Sequence, residues 1–271
     1  MMVTGSIVLF KHTYLELRDL LQKLELSNVN PLFIVDNSPT DSIREIIESD
    51  HLNIQYIHQP SNPGFGAAHN IALKHAIEAG SEFHFVINPD VTIHQDATFS
   101  MVEFMKKDSN IGMLMPQILN RDGSIQYLPK LLPSPLSVFK RILNKKFGLY
   151  SSFVQKYELH HIDPNRIYDA PILSGCFTLI RILSLNKVGL YDDRFFMYFE
   201  DWDLSRRMQE SYRTVYYPRV SVIHGYESGA NKSPNLFRIF VRSYIRYFDK
   251  WGWFTDKKRY KVNRKTLNQF K

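Results

Sequence analysis

A chain of 271 residues with 44% hydrophobic and 23% charged side chains has the proportions of an ordinary folded protein, one core with an appendage, which excludes disorder and fibrous architecture. No apolar run reaches the ~18–20 residues that cross a bilayer, and the stretch at 6–10 is too short for a secretory signal, so a cytoplasmic location is expected. The lone Cys176 excludes an internal disulfide and a cysteine metal site, while the net charge of +7 calls for a polyanionic partner: nucleic acid, anionic lipid or a diphosphate substrate.

Runs rich in β-branched and aromatic residues at 6–10, 32–35, 53–57, 83–87 and 111–115 predict buried strands. Between them Leu17, Leu20, Leu21 and Leu24, then Ala68, Ile71 and Ala72, recur at helical spacing. This alternation predicts an α/β fold, a mostly parallel sheet flanked by helices, with ligands bound beyond the carboxyl ends of the strands. Asp36 and Asn37 follow the second strand run, and Asn88, Pro89 and Asp90 follow the fourth. The segment Ser61-Asn-Pro-Gly-Phe-Gly-Ala-Ala-His-Asn70 has the glycines of a phosphate-cradling loop at a helix start. It partly imitates a dinucleotide fingerprint, but His69 stands at the third glycine position, and His84, about 20 residues beyond Gly64, replaces the acidic ribose ligand of a dehydrogenase. A plain glycine-rich turn explains Gly64 and Gly66 but not Asn62 and Asn70.

Asp90 follows a proline that ends a strand. It either binds Mg²⁺ or Mn²⁺ through one or two contacts, with donor phosphates completing the shell, or simply turns the chain before a helix at 97–107. From 117 to 170 the strand–helix rhythm stops. An Asp122-Gly123 turn, the prolines Pro129, Pro133 and Pro135, and a basic helical stretch at 140–146 predict an inserted hairpin and lid. Strands are expected again at 176–180, 214–217 and 220–223.

In Phe196-Met-Tyr-Phe-Glu-Asp-Trp-Asp-Leu-Ser-Arg-Arg207, three carboxylates follow an aromatic run. Aromatic surfaces pack on sugar rings, and partial burial raises a carboxyl toward the range of a general base. Acidic residues also suit a helix start, and Asp203 is assigned there, paired with Arg207 four residues on. Spacing alone leaves Glu200 and Asp201 open. His224 ends an apolar strand, where a lone histidine is more often structural than a ligand. Beyond it, Leu236, Ile239, Phe240, Tyr244 and Tyr247 share one helical face, with Arg238, Arg242, Arg246 and Lys250 on another; Trp251, Trp253 and a basic tail through Lys265 follow. Such a helix suits either solvent or an anionic lipid surface.

Six stations occur in order: Ile34-Val-Asp-Asn-Ser-Pro-Thr-Asp41, Asn62-Pro-Gly-Phe-Gly-Ala-Ala-His-Asn70, Asn88-Pro-Asp-Val91, Ser174-Gly-Cys-Phe-Thr-Leu-Ile-Arg181, Phe196-Met-Tyr-Phe-Glu-Asp-Trp-Asp-Leu204 and His224. Together they resemble the family-2 glycosyltransferases of GT-A fold, especially the rhamnosyltransferase-like branch that builds bacterial surface polysaccharides such as O-antigen and capsule. The resemblance covers most of the chain. It implies an inverting transferase in which Asp201 is the catalytic base and Glu200 helps position the acceptor. Asp36, Asn37, Asn62, Gly64, Phe65, Gly66, Asn70, Asn88 and Asp90 would bind the donor, and Asp90 with His224 would hold Mg²⁺ or Mn²⁺. The implied donor is a nucleotide-diphosphate sugar, first deoxythymidine-diphosphate rhamnose, otherwise uridine-diphosphate galactose, glucose or an N-acetylhexosamine. The acceptor would be a lipid-linked saccharide reached from the cytoplasmic face of the membrane, with no nucleic acid involved. The implied catalytic domain spans 1–225, its insert at 117–170 facing the acceptor, and 226–271 forms a helical basic extension.

Two positions depart from the family pattern. Asn88-Pro-Asp90 stands for the usual Asp-x-Asp with one charge fewer, which predicts weak, donor-dependent metal binding, and the first strand ends in Phe10-Lys-His12 rather than Tyr-Asn. Two other classes compete. A sugar nucleotidyltransferase would need a Gly-rich activation loop with a basic residue after the first strand, which this chain lacks, and a non-catalytic carbohydrate-binding protein would tolerate loss of Asp201.

Overall fold

The computed structural model describes residues 1–51, 53–93, 96–225 and 233–271; the expected domain boundary after 225 and the first residues of the extension, 226–232, lie outside the described residues. The first part is β1 (Val3–Leu9), α1 (Tyr14–Glu25), β2 (Leu32–Asp36), α2 (Arg44–Asp50), β3 (Ile54–His58), α3 (Phe65–Glu78) and β4 (Phe83–Ile87). These four strands are parallel, in the order β3-β2-β1-β4. α1 opens on a capping box between Thr13 and Glu16 and turns Leu17, Leu20, Leu21 and Leu24 into the core, the stripe its spacing predicts.

The second part is β5 (Val91–Ile93), α4 (Ala97–Lys106), β6 (Ile111–Leu119), α5 (Pro135–Phe147), α6 (Ser151–Tyr157), β7 (Tyr168–Asp169), β8 (Phe177–Arg181), α7 (Ile182–Val188), α8 (Glu200–Met208) and β9 (Arg213–His224). Here the sheet becomes mixed. β8 runs antiparallel to both β4 and β6, while β9 is parallel to β6. The reason lies in the connection: β6 ends at the carboxyl edge, the insert leaves and returns there, and β8 must therefore begin at that edge and run back. Ile87 at the end of β4 pairs with Phe177 at the start of β8, so the Ser174-Gly175-Cys176 loop lies at the ligand edge.

The hairpin at Asp122-Gly123 is present, with Leu119 bridging Ile125, but residues 117–119 still belong to β6. The segments at 214–217 and 220–223 are one strand, β9, whose ladder with β6 shifts register where Pro116–Gln117 faces Tyr217–Ser221. Pro218 sits inside that shift, where a missing N–H costs no ladder bond.

α9 (Pro234–Trp251) and α10 (Lys257–Asn268) close the described chain. The apolar face of α9 is already used. Tyr247 and Phe248 are buried with Phe195, Phe199 and Val138 in a small second core, joined by Phe240 and Tyr244. Lys250, expected on an open basic face, reaches Asp192 at 2.8 Å and Asp203 at 2.7 Å. Trp251 donates its indole N–H to Asp203 at 2.8 Å and lies under Arg206. The basic tail forms a helix of its own. Asp256 caps α10 through the Arg259 N–H, and Asn263 and Gln269 bond to the backbones of Leu132 and Asp169. No described helix is long and apolar enough to cross a membrane.

Candidate functional site

The carboxyl ends of β1, β2 and β4 share one edge of the sheet. At the end of β2, Asp36 is buried and accepts from the Ser38 N–H at 2.9 Å and from the Tyr56 hydroxyl, while the buried Asn37 leaves its Oδ1 without a partner. The loop before α3 is held by backbone geometry. Asn62 and Gly64 have φ of 46° and 99°, and a Cβ on Gly64 would stand 2.1 Å from the Phe196 carbonyl. Only glycine meets both demands. The Phe65 N–H donates to that same carbonyl at 2.8 Å, tying the loop to the acidic segment. Gly66 lies against Tyr191 and the Glu200 side chain. Both ends of the Asn70 amide are taken by the Tyr191 backbone, at 2.8 and 2.9 Å, so Asn70 braces this loop. His69, where a dinucleotide loop would carry glycine, is buried against Ser6, which also bonds His84; Thr4 holds the other ring nitrogen of His84.

β9 brings His224 to the same edge, paired with Val91 of β5. The side-chain amide of Gln126 donates to the His224 carbonyl at 2.8 Å, and its Oε1 faces His224 Nδ1 at 3.1 Å. A carbonyl oxygen can only accept, so Nδ1 carries a proton and the ring turns Nε2 toward Asp90 and Asn88. Nε2 lies 3.3 Å from Asp90 Oδ1 and 3.3 Å from the Asn88 amide nitrogen, and Asn88 Oδ1 is buried without a partner. A carboxylate oxygen and a neutral ring nitrogen facing each other at this distance would suit a shared cation. Among the described residues no three His, Cys, Asp or Glu side chains converge on a metal position, so a cation beside Asp90 and His224 would need further oxygens, such as those of a bound phosphate, to complete its shell.

The acidic segment enters from the other side. Tyr198 and Phe199 both have left-handed backbones, φ of 69° and 68°, and this paired turn sets Glu200 and Asp201 in the first turn of α8. Conformations of this kind persist where surrounding structure enforces them, commonly at sites of function. Asp201 is half-buried and accepts from the Gly175 N–H at 3.2 Å and the Trp202 N–H at 2.9 Å. Asn88 N–H bonds the Cys176 carbonyl at 2.8 Å, so one loop joins the Asn88–Asp90 turn to Asp201. Burial pushes the Asp201 carboxyl up, opposed by the Gly175 N–H and by the charge of Lys130. Burial and then the neighbouring Asp201 push Glu200 well above the carboxylate range, so Glu200 holds its proton while Asp201 ionises first. Asp203 is fully buried and pairs with Arg207 at 2.8 Å, the structural role its spacing implies. Burial pushes the Cys176 thiol up to about 12, which leaves it unreactive.

Lys130, Gln126 and Tyr191 are absent from the residues that spacing singled out. Lys130 lies among the prolines of the insert, and Gln126 just beyond the hairpin. Nothing local marks either; both become visible only when the insert folds back on β9 and α8.

The family model described as glycosyl transferase family 2 matches residues 14–189. Among relatives by sequence, the N-acetylglucosaminyl-diphospho-decaprenol L-rhamnosyltransferase of Mycobacterium tuberculosis is 26% identical over 249 residues, covering 86% of this chain and 80% of that protein. Rhamnosyltransferase WbbL of Escherichia coli is 26% identical over 245 residues, covering 85% and 87%. Among solved structures, GalNAc-T7 with UDP, GalNAc and Mn²⁺ superposes with a TM-score of 0.63 at 15% identity, over 92% of this chain and 48% of that one. The mannosyltransferase PcManGT from Pyrobaculum calidifontis with GDP-Man and Mn²⁺ gives a TM-score of 0.58 at 14% identity, over 92% and 63%. The chain spans about half the length of the first and under two thirds of the second, and at these identities the likeness is one of fold, the GT-A fold.

Proposed function

The chain belongs to glycosyl transferase family 2 and is a glycosyltransferase, and from that premise we propose that it inverts the anomeric centre of a nucleotide-diphosphate sugar in a single displacement with Asp201 as base. The observation that carries this reading is the Asp201 carboxylate, half-buried at the head of α8, held by two backbone N–H groups and joined through the 174–176 loop to the Asp90–His224 pair. An acceptor hydroxyl gives its proton to Asp201 while its oxygen attacks the anomeric carbon; the bond to the diphosphate breaks and the nucleoside diphosphate leaves. Glu200, protonated, orients the acceptor as a hydrogen-bond donor rather than as a second base. A divalent cation on Asp90 and His224 would offset the charge of the leaving diphosphate. Asp36, Asn37 and the loop from Asn62 to Gly66 line the edge where the nucleotide would lie, Asn37 Oδ1 and Asn88 Oδ1 being acceptors without protein donors.

The rhamnosyltransferase relatives favour deoxythymidine-diphosphate rhamnose as donor and a lipid-linked diphosphate saccharide as acceptor. A lipid-linked acceptor places the enzyme at the cytoplasmic membrane surface. With the apolar face of α9 occupied, the surface best suited to lipid is α5, where Leu136, Phe139 and Phe147 are exposed beside Lys145 and Lys146. The decisive experiment supplies deoxythymidine-diphosphate rhamnose, Mn²⁺ and an N-acetylglucosaminyl-diphospho-lipid, and determines the anomeric configuration of the product by NMR. Inversion is expected; retention would remove the single-displacement mechanism.

A further inference from the structure

The insert carries a buried cation that the reaction scheme does not use. Lys130 is 6% exposed, and a bridge between its backbone and Ile172 stations it beside the 174–176 loop. Among the described residues its ammonium makes no hydrogen bond or ion pair; its one close partner is the Trp202 ring, 5.6 Å from the nitrogen to the centroid. A cation largely withdrawn from water without a direct counter-ion is costly, and folds discard such groups unless something else requires the charge. Two carboxylates lie within electrostatic reach. Glu158 is already claimed by Arg141 at 2.6 Å and His160 at 3.2 Å, whereas among the described residues Asp201 has only backbone N–H partners.

We propose that Lys130 is a positioning residue for transfer: its buried ammonium is the counter-charge that keeps the Asp201 carboxylate ionised beneath the acceptor. The inference rests on the reading of Asp201 as base and adds the residue that tunes it. The groups facing Asp201 are Glu200 on its own helix, Tyr191 before it, Cys176 in the adjoining loop and Lys130 from the insert. Three of these four are neutral when Asp201 titrates, and Lys130 is the cation. Facing Lys130 are Arg141, which adds to the cost of its charge, and Glu158 and Asp201, which offset it. Burial pushes Lys130 down to about 8, so it remains largely charged at neutral pH. An opposite charge at close range favours the ionised carboxylate, so removing it must raise the pH at which Asp201 titrates.

The test is carried out on the full chain with ¹³Cγ-labelled aspartate, the Asp201 resonance being identified by its loss in D201N. In K130M the Asp201 titration midpoint is expected to rise by about one pH unit, with return toward the wild-type value in K130R and a melting temperature equal to or above wild type. The acid limb of the transfer rate against pH should move by the same amount. An unchanged Asp201 midpoint in folded K130M would overturn the inference. So would a K130M chain that fails to fold, since a charge held for electrostatics alone is dispensable to packing. If D201N abolishes transfer but K130M leaves the midpoint in place, the inference fails while the base assignment stands; if D201N retains transfer, the base assignment fails independently.

Discussion

The sheet edge proposed for the donor and the mouth proposed for the acceptor are assembled in different ways. At the first, Asp36 ends β2 while Asn37, Asn88 and Asp90 lie on turns that directly follow β2 and β4, and the parallel register of β1, β2 and β4 aligns those positions whatever the side chains are. At the acceptor mouth, Gly175, Asp201, Trp202 and Lys130 come from the 174–176 loop, the head of α8 and the insert, and meet only because long-range contacts hold α8 in place. Those contacts are concentrated two residues from Asp201. Asp203 binds Arg207, Lys250 and Trp251 together, so one segment carries the proposed chemistry at 201 and architecture at 203. Preorganisation by a sheet leaves side chains free for ligands, whereas preorganisation by side chains divides them between the two tasks.

The sharpest way to break that division is to exchange the neighbours. Asp201→Asn is expected to lower kcat by about a thousandfold, the middle of the range for a lost general base, with the fold and donor affinity retained. Steady-state kinetics beside a melting curve decide it. Near-normal turnover would return Asp201 to the structural class. Asp203→Ala should do the reverse, with a loss of about 3 kcal/mol in folding stability, since removing one member of a buried charge cluster leaves its partners unpaired. Urea unfolding measures this, and kinetics on the folded fraction should show a far smaller fall than in Asp201→Asn.

The donor side is probed through Gln126, which touches no substrate in the proposed scheme. Its oxygen fixes the His224 tautomer, and replacing it with Leu removes the acceptor for the Nδ1 proton. Loss of such a supporting bond typically weakens metal binding about 10- to 100-fold. The Mn²⁺ concentration for half-maximal activity should rise accordingly in Gln126→Leu, with the rate at saturating Mn²⁺ largely preserved. An unchanged Mn²⁺ curve would mean that His224 does not bind the ion through Nε2.

The same contrast explains what could be read before the chain was folded. β-branched runs and the polar residues at their ends are local features, so β1 to β4, the α1 stripe, Asp36 and Asp90 were visible from spacing. The reversal of β8 was not, because strand direction there is set by where the insert returns. α10 was hidden for another reason: Lys257-Lys-Arg-Tyr-Lys261 has little apolar surface, and the Asp256 cap and the bonds from Asn263 and Gln269 supply what its composition lacks. Asp201 stood out from Glu200 only through an ordered set of motifs. Lys130 had no such set to belong to.

The two sides also carry opposite proton linkages, which gives the finest test of the comparison. In the core between β1, α3 and β4, burial pushes His84 down to about 3 and His69 well below its usual range, so both stay neutral in the folded chain. In the unfolded chain they take up protons near pH 6.5. The unfolded state therefore binds more protons below that pH, and stability falls as pH drops from about 6.5, by at most ~1.4 kcal/mol per histidine per unit. On the acceptor side Glu200 and Asp201 are raised, so in the window above the ordinary carboxyl range the folded chain binds the extra proton and stability rises as pH drops. In the wild type the two trends partly cancel between pH 6.5 and 5. Glu200→Gln deletes one of the acceptor-side titrations without touching the histidines. Between pH 7 and pH 5.5 the urea midpoint should therefore fall further in Glu200→Gln than in wild type. Equal falls would mean that Glu200 is ionised in the folded protein, and with it that the acceptor mouth holds two negative charges rather than one.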